Sequence, residues 1–94
     1  MILGLFQITG YSMEPGLKKG DSVLALGIFS VKKGDVIIFQ KDSKYFVKRV
    51  AEIMGNKVKV LGDNPEDSFD SRNFGEIEKD VIIGKVIKKI KWFF

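Results

Sequence analysis

Three short stretches of this 94-residue chain carry residue types that could perform nucleophilic and acid–base chemistry together. The first contains Ser12, and the second places Lys48 beside Arg49 inside an apolar run. The third, residues 62–72, holds four carboxylates, two hydroxyls, an amide and an arginine. A hydrophobic core does not require so polar a segment, so these three stretches are the candidates for function.

The chain contains no histidine and no cysteine. The Ser-His-Asp triad, the commonest zinc ligands and disulfides are therefore excluded. A serine hydroxyl becomes a good nucleophile only when a base removes its proton. A neutral lysine can do this when burial lowers its pKa from about 10.4 towards ~7–8. Without histidine, lysine or a carboxylate must do this work, and Ser12 with Lys48 is one such pairing; it needs no metal and no cofactor.

The residues around Lys48 suit that role. Side chains two apart in a strand share a face, so Lys48 is expected between Phe46 and Val50 on an apolar face. Arg49 then points to the opposite face, as a solvent or ion-pair residue. Taken alone, Lys48 has a simpler interpretation, an edge-strand charge that discourages aggregation.

Ser12 is bracketed by Gly10 and Pro15, which fix the backbone where a catalytic hydroxyl must be held. Its backbone N–H could then point at a developing oxyanion. A serine at this place is also compatible with an ordinary turn. On the residues alone, both interpretations stay open.

The elements that must position these residues are mostly strands. Short runs rich in Val, Ile and Phe are separated by Gly-Asp pairs, which predict turns, and Gly-Asn at 55–56 predicts a tight hairpin. The expected fold class is mainly β, a compact coiled sheet or partial barrel with few helical turns, one after Pro15 or around 76–80. The predicted strands are residues 2–9, 22–26, 35–40, 44–54, 57–61 and 81–91.

Length and composition indicate a single domain over residues 1–94, with 45% hydrophobic and 30% charged residues. The net charge is +4, and the basic excess is concentrated in residues 85–94, which also end in three aromatic residues. Nucleic-acid binding requires basic residues interleaved with exposed aromatics throughout a fold, so it is not expected.

The C-terminal tail of residues 85–94 has two interpretations. Lysines followed by aromatic residues suit a lipid interface. They are equally compatible with a final strand that has solvated lysines and an aromatic end packed on the core. The chain has no stretch near the ~20 apolar residues of a membrane span, so the expected localisation is cytoplasmic or peripheral to a membrane.

The order of the motifs resembles that of the type I signal peptidase family. The segments concerned are 10–17, 20–21, 48–50 and 62–72, which together extend over most of the chain. The resemblance implies the signal peptidase catalytic core, a LexA-like β fold. It also implies a Ser/Lys endopeptidase that removes N-terminal leader or signal peptides from precursor proteins through an acyl-enzyme.

The resemblance implies a role for each matching residue. Ser12 corresponds to the nucleophile and Lys48 to the general base. Ser68 corresponds to the serine that hydrogen-bonds and orients the lysine, and Asp70 with Arg72 to a supporting ion pair. The segment that includes Gly10 supports the nucleophile.

The chain departs from the family pattern at three places. Gly16 stands where the family usually has threonine, and Met-Gly-Asn at 54–56 replaces a common Pro-Gly-Asp. Only 13 residues separate Lys48 from Gly62, so there is no room for the extra β domain of larger bacterial members. A minimal member without an N-terminal membrane helix resembles the nickel superoxide dismutase maturation proteases, which remove a short N-terminal leader.

Two other functions stay open. A self-cleaving regulator of the LexA type has the same chemistry and core fold, but its DNA-binding domain and cleavable segment do not fit before Ser12. A non-catalytic or degenerate β module that binds peptides or a membrane surface would explain the basic tail. It gives no reason for the polar residues of 62–72 to occur together with Ser12 and Lys48.

Overall fold

Strands dominate the computed structural model, which describes residues 3–27 and 30–90. They are β1 Leu3–Gln7, β2 Ser22–Leu26, β3 Val36–Lys41, β4 Lys44–Met54, β5 Lys57–Leu61, β6 Ile77–Glu78 and β7 Ile82–Ile90. The helical elements are a short helix α1, Ser71–Phe74, and 3-10 turns at Pro65–Asp67 and Lys79–Val81. The prediction of a mainly β fold with few helical turns is confirmed.

The seven strands form one open antiparallel sheet in the order β1-β2-β7-β3-β4-β5-β6. Neighbouring strands lie about 4.8 Å apart, so a flat sheet would hold β1 about 19 Å from β4. Instead, Phe6 of β1 contacts Tyr45 of β4, with ring centroids 6.1 Å apart. The sheet is therefore strongly coiled, and it brings the turn after β1 close to β4.

The hydrophobic core lies on both faces of β3, the central strand of the sheet. Successive side chains of a strand point to opposite faces, yet Ile37, Ile38 and Phe39 are all fully buried. One cluster comprises Ile37, Phe39, Val50, Val58, Val60 and Ile77. The other comprises Ile8, Val23, Ala25 and Ile38. The first cluster contains Val50, which follows Lys48 in β4. The second contains Ile8, which precedes the turn that carries Ser12.

Two Lys-Lys-Gly-Asp turns, at 18–21 and 32–35, are built in the same way. The aspartate side chain accepts a hydrogen bond from the backbone N–H three residues earlier, Lys18 to Asp21 and Lys32 to Asp35, both 2.8 Å. The glycine between them has a φ of 93° in the first turn and 94° in the second, a conformation that favours glycine. The interpretation of these two Gly-Asp pairs as turns is confirmed.

The hairpin predicted at 55–56 is also confirmed, since Met54 pairs with Lys57 and Gly55 has a φ of 62°. The predicted strands 22–26, 44–54 and 57–61 have the bounds found in the structure. Strand β6 and helix α1 were not predicted, because elements of two and four residues are too short to show a periodicity.

The ends of the chain and the helical turns were also predicted from the sequence. The predicted first and last strand ends at residues 2 and 91 lie outside the described residues. A 3-10 turn occurs at Lys79–Val81, close to the helical turn expected around 76–80. In the described part of the chain no helix is long or apolar enough to cross a bilayer.

Candidate active site

Ser12 and Lys48 come together in the structure. Lys48 Nζ lies 2.7 Å from Ser12 Oγ, although 36 residues separate them in sequence. Ser12 belongs to the turn after β1, where Leu17 N–H donates to the Met13 carbonyl at 3.0 Å. The Met13 side chain, 2% exposed, anchors this turn in the protein interior. The coiling of the sheet thus brings the hydroxyl and the amine within hydrogen-bond distance.

Lys48 is buried on an apolar face of β4, as its neighbours predict. Its side chain is among the few charged ones that are buried, with 5% of the residue exposed. Its Nζ lies 5.8 Å from the centroid of the Phe46 ring. Burial lowers the pKa of Lys48, the negative charge of Asp70 opposes this, and the positive charge of Arg72 lowers the pKa further. The lowered pKa shifts the equilibrium of Lys48 towards the neutral amine, the form that a general base would require.

Arg49 points to the opposite face, as expected from strand alternation. Its guanidinium makes a two-pronged ion pair with Asp63, at 2.9 Å from Nε and 2.8 Å from Nη2. Its Nη1 also donates to the Gly34 carbonyl at 2.7 Å. Arg49 therefore ties β4 to the start of the acidic loop, which we define as residues 62–72.

Asp70 is the centre of the acidic loop and is completely buried. Its carboxylate accepts hydrogen bonds from Gly62 N–H at 2.8 Å, Ser68 Oγ at 2.6 Å, and Arg72 Nε and Nη2 at 2.9 and 2.7 Å. Burial alone would raise the pKa of Asp70, but the bonds from Arg72, Gly62 and Ser68 outweigh it and hold that pKa well below its usual range. The ion pair expected between Asp70 and Arg72 is present.

Ser68 makes a different contact from the one that the resemblance implies. Its hydroxyl donates to Asp70, and the hydrogen bonds found among the described residues include none between Ser68 and Lys48. Because the Ser68 hydroxyl donates its hydrogen to Asp70, the lone pairs of the Ser68 oxygen remain able to accept a bond from the lysine. The orienting role of Ser68 stays a prediction.

Asn64 joins the acidic loop to the turn that carries the candidate nucleophile Ser12, called the nucleophile turn below, a contact that sequence reasoning missed. Its backbone N–H donates to the Ser12 carbonyl at 2.7 Å, and its side-chain Nδ2 donates to the Tyr11 carbonyl at 3.0 Å. Gly62 packs equally closely, since a Cβ there would lie 2.8 Å from the Ser12 carbonyl oxygen and would overlap the Ser68 side chain. The signal available in the sequence was a glycine inside a polar loop, which we had interpreted only as part of a motif.

A groove of about 540 Å³ opens beside Ser12 and Lys48. One wall is formed by residues 6–10, the end of edge strand β1 and the segment after it, and the other by residues 43–48 of the β3–β4 hairpin. Gly10 lies in the first wall, and a Cβ on it would meet nothing within 4 Å. The glycine therefore leaves open space beside Ser12, which an extended peptide could occupy.

Comparison with known proteins agrees with this fold. The peptidase S24-like family matches residues 3–87, so the chain belongs to that family. The match confirms the resemblance to the signal peptidase family that the motifs indicated. It supports a protease function of the serine type.

The chain is also similar to mitochondrial inner membrane protease subunit 1 from three vertebrates. It is 28% identical to the Mus musculus protein over an alignment that covers 97% of this chain and 70% of the relative. It is 27% identical to the Homo sapiens protein over 93% of this chain and 69% of the relative. It is 28% identical to the Xenopus tropicalis protein over 87% of this chain and 65% of the relative.

Proposed function

We propose that this protein is a serine endopeptidase that uses Ser12 and Lys48 as its catalytic dyad and removes N-terminal leader peptides from precursor proteins. The approach of Lys48 Nζ to within 2.7 Å of Ser12 Oγ carries the proposal. The burial of Lys48, which lowers its pKa, and the match to a peptidase family support it. The relatives, which are named as proteases, support it as well.

In the first step, neutral Lys48 takes the hydroxyl proton of Ser12 while Oγ attacks the carbonyl carbon of the scissile bond. The carbonyl oxygen becomes an oxyanion. Among the hydrogen bonds of the described residues none uses the Ser12 N–H, so this donor is available to that oxygen. Lys48 then gives the proton to the leaving amine as the peptide C–N bond breaks.

In the second step, a water molecule enters in place of the leaving peptide. Lys48 takes a proton from the water as its oxygen attacks the acyl carbon, and the proton returns to Ser12 Oγ as the ester bond breaks. The leader is released with a free carboxylate, and Lys48 is neutral again. One lysine thus serves as base and acid in both halves of the cycle.

The acidic loop supports the dyad without touching the substrate. We assign to Ser68 the orienting of Lys48, through the oxygen of a hydroxyl that donates its own hydrogen bond to Asp70. Asp70 and Arg72, joined by two short bonds, fix the loop that carries Ser68. Gly10 has a supporting role of another kind, since it keeps the groove beside Ser12 open.

The substrate would bind in the groove as an extended chain alongside edge strand β1. A precursor with an N-terminal leader fits the relatives, and the short leader of nickel superoxide dismutase stays the candidate that the resemblance suggests. We also propose a peripheral contact with a membrane through the C-terminal tail. Ile87 is 49% exposed, and Lys88 beside it is exposed too; residues 91–94 lie outside the described residues.

Replacement of either dyad residue tests the mechanism. Ser12→Ala and Lys48→Ala should each lower kcat by about 10⁴-fold or more, because the two residues act as one unit. The assay is cleavage of leader-bearing precursors, with the cut position determined by mass spectrometry. Ser30→Ala and Lys33→Ala are matched controls at exposed positions away from the groove, and circular dichroism reports whether each variant folds.

Full activity in a folded Ser12→Ala or Lys48→Ala variant would exclude the dyad. Acylation by a penem, located on Ser12 by mass spectrometry, separates an active peptidase from a non-catalytic β module. A folded wild-type protein that neither cleaves precursors nor becomes acylated would favour the β module.

A further inference from the structure

We propose that Asn64 is a positioning residue that aims the Ser12 N–H at the oxyanion of the proposed reaction. The inference rests on the proposed peptidase function and adds a residue to it. Asn64 donates two hydrogen bonds to the nucleophile turn, one from its side chain and one from its backbone. The two bonds reach the two peptide units that flank the Ser12 Cα atom.

The side-chain bond acts on the peptide unit that carries the proposed oxyanion donor. Asn64 Nδ2 lies 3.0 Å from the Tyr11 carbonyl oxygen. The peptide bond between Tyr11 and Ser12 is trans, and in the described part of the chain only Glu14–Pro15 is cis. In a trans peptide the carbonyl and the following N–H lie in one plane and point in opposite directions. A bond that fixes the direction of the Tyr11 carbonyl therefore also fixes the direction of the Ser12 N–H.

The backbone bond acts on the peptide unit after Ser12. Asn64 N–H donates to the Ser12 carbonyl at 2.7 Å. Rotation about φ or ψ of Ser12 would turn one of the two flanking units relative to the other, because each unit is itself rigid. Since one residue holds both units, such a rotation must strain or break a hydrogen bond to Asn64. Asn64 therefore restrains both backbone dihedral angles of the proposed nucleophile.

The side chain of Asn64 is not used by the helical turn that follows it. Asn64 is the N-cap of the 3-10 turn Pro65–Asp67, a position where an asparagine side chain commonly accepts a hydrogen bond from the turn. Among the described residues it forms no such cap bond. A carbonyl can only accept, so the atom that faces the Tyr11 oxygen must be the amide nitrogen. The amide is thus directed at the nucleophile turn and not at its own turn.

Removal of this side chain should leave the nucleophile turn formed. The Tyr11 carbonyl also accepts from Glu14 N–H at 3.2 Å, and the backbone bond from Asn64 to Ser12 does not depend on the side chain. Asn64 does not line the groove beside the dyad. A substitution there should therefore change the aim of the Ser12 N–H with little effect on substrate binding.

The test replaces Asn64 by alanine, and by aspartate, which has nearly the same shape but no donor when ionised. Each variant should lower kcat by about 10-fold or more, because a displaced oxyanion donor loses part of a contribution of about 10²–10³. KM should stay within about twofold of wild type. Asn56→Ala, which removes an exposed asparagine side chain between β4 and β5, is the matched control and should retain wild-type kcat.

A peptide aldehyde labelled with ¹³C at its carbonyl carbon reports on the donor directly. Ser12 Oγ adds to this carbon to form a hemiacetal, and the Ser12 proton passes through Lys48 to the former carbonyl oxygen. A donor aimed at that oxygen stabilises its ionised form. In an NMR titration the hemiacetal should ionise about one pH unit higher in Asn64→Ala than in wild type, the equivalent of a tenfold loss. Asn56→Ala should ionise like wild type.

An unchanged kcat or an unchanged hemiacetal titration in folded Asn64 variants overturns this inference while the peptidase function stands. A raised KM with wild-type kcat also overturns it, because Asn64 would then act in substrate binding. Loss of the fold in both variants, measured by circular dichroism, would assign the side chain to stability and overturn the inference as well. Failure of wild type to cleave precursors and to form the hemiacetal overturns both the inference and the proposed function.

Discussion

At the scale of single residues, the site depends on one buried amine. Lys48 is surrounded by the Phe46 ring and the strand neighbours that exclude water. The amine is close enough to Asp70 and Arg72 to be influenced by both charges. Because these two charges act in opposite directions, burial decides the outcome, and the pKa of Lys48 is lowered. In the proposed mechanism, a chain without histidine thereby obtains its base mainly through burial.

The pH dependence of cleavage should show this lowered pKa. We expect kcat/KM to rise with pH as Lys48 loses its proton, and to level off below 10.5, the ordinary lysine value. Phe46→Leu removes part of the apolar cover, so the midpoint of the rise should move to higher pH. Lys33→Ala, at an exposed position, should leave the midpoint in place.

The stability of the fold should respond to the same group. The pKa of Lys48 is lower in the folded than in the unfolded chain. At a pH between these two pKa values, the unfolded chain therefore binds more protons than the folded chain. The free energy of unfolding should therefore increase with pH over that interval. A rise in kcat/KM centred at the ordinary lysine pKa, or a midpoint insensitive to Phe46→Leu, would contradict this description of Lys48.

Residue types pointed to Ser12 and Lys48, which the structure places 2.7 Å apart, while the Asp70–Arg72 ion pair was expected only from the resemblance to signal peptidases. They were not sufficient for Asn64. Its two hydrogen bonds go to backbone carbonyls in a segment as far as 53 residues away. Every residue has a carbonyl, so no residue type in the nucleophile turn indicates such a partner.

At the scale of elements, the segment Gly62–Asp63–Asn64 acts as a connector between three parts of the site. Asp63 binds Arg49 of β4, and Asn64 binds the nucleophile turn. Gly62 donates to Asp70 in the acidic loop. Three consecutive residues therefore hold β4, the turn that carries Ser12 and the acidic loop at fixed distances from one another.

A methyl group at Gly62 should disrupt this connection. Gly62→Ala is expected to lower the free energy of unfolding by about 1–3 kcal/mol, as overpacking does, and to lower kcat as Ser12 moves away from Lys48. Gly16→Ala is the matched control, since its Cβ would make only an ordinary contact of 3.9 Å with the Met13 carbonyl. It should leave stability unchanged or raise it by up to about 1 kcal/mol.

Urea unfolding and steady-state kinetics on both alanine variants decide the matter. A Gly62→Ala protein as stable and as active as Gly16→Ala would show that the close approach of Gly62 to the Ser12 carbonyl affects neither stability nor activity.

The alternation of apolar residues predicted the long strands well. It could not predict α1, whose four residues depend on a local cap, in which Asp70 accepts from Arg72 N–H and Asn73 closes a capping box.

At the scale of the whole molecule, the charge of +4 is unevenly distributed. In β7 the exposed lysine Lys88 lies next to Ile87, an apolar residue that is 49% exposed. Leu24 of β2 pairs with Lys88 in the sheet, and Leu5 of β1 pairs with Leu24. Exposed apolar and cationic residues therefore share this region, as the proposed membrane contact requires.

Vesicle sedimentation tests that contact. Wild-type protein should bind vesicles of phosphatidylcholine with phosphatidylserine more tightly than vesicles of phosphatidylcholine alone. Lys88→Glu should weaken binding to the anionic vesicles by about fivefold or more, since each lysine near such a surface contributes about 1 kcal/mol. Lys33→Glu makes the same charge change at an exposed site in the turn before β3 and should have a smaller effect.

Equal binding of wild type to both kinds of vesicle, or equal losses in the two variants, would remove the membrane contact from the proposed function. The dyad would not be affected by that result, because neither Lys88 nor Lys33 lines the groove.

The position of β7 in the sheet has a consequence for the biosynthesis of the enzyme. Ser12 follows β1, Lys48 lies in β4, and no strand pairing joins β2 directly to β3, because β7 lies between them. A ribosome therefore delivers the nucleophile, the base and the acidic loop before it delivers the strand that unites their two halves of the sheet. Until β7 has emerged, the two halves of the sheet lack the strand that pairs with both, so we expect the contact between Ser12 and Lys48 to form only after β7 has been synthesised.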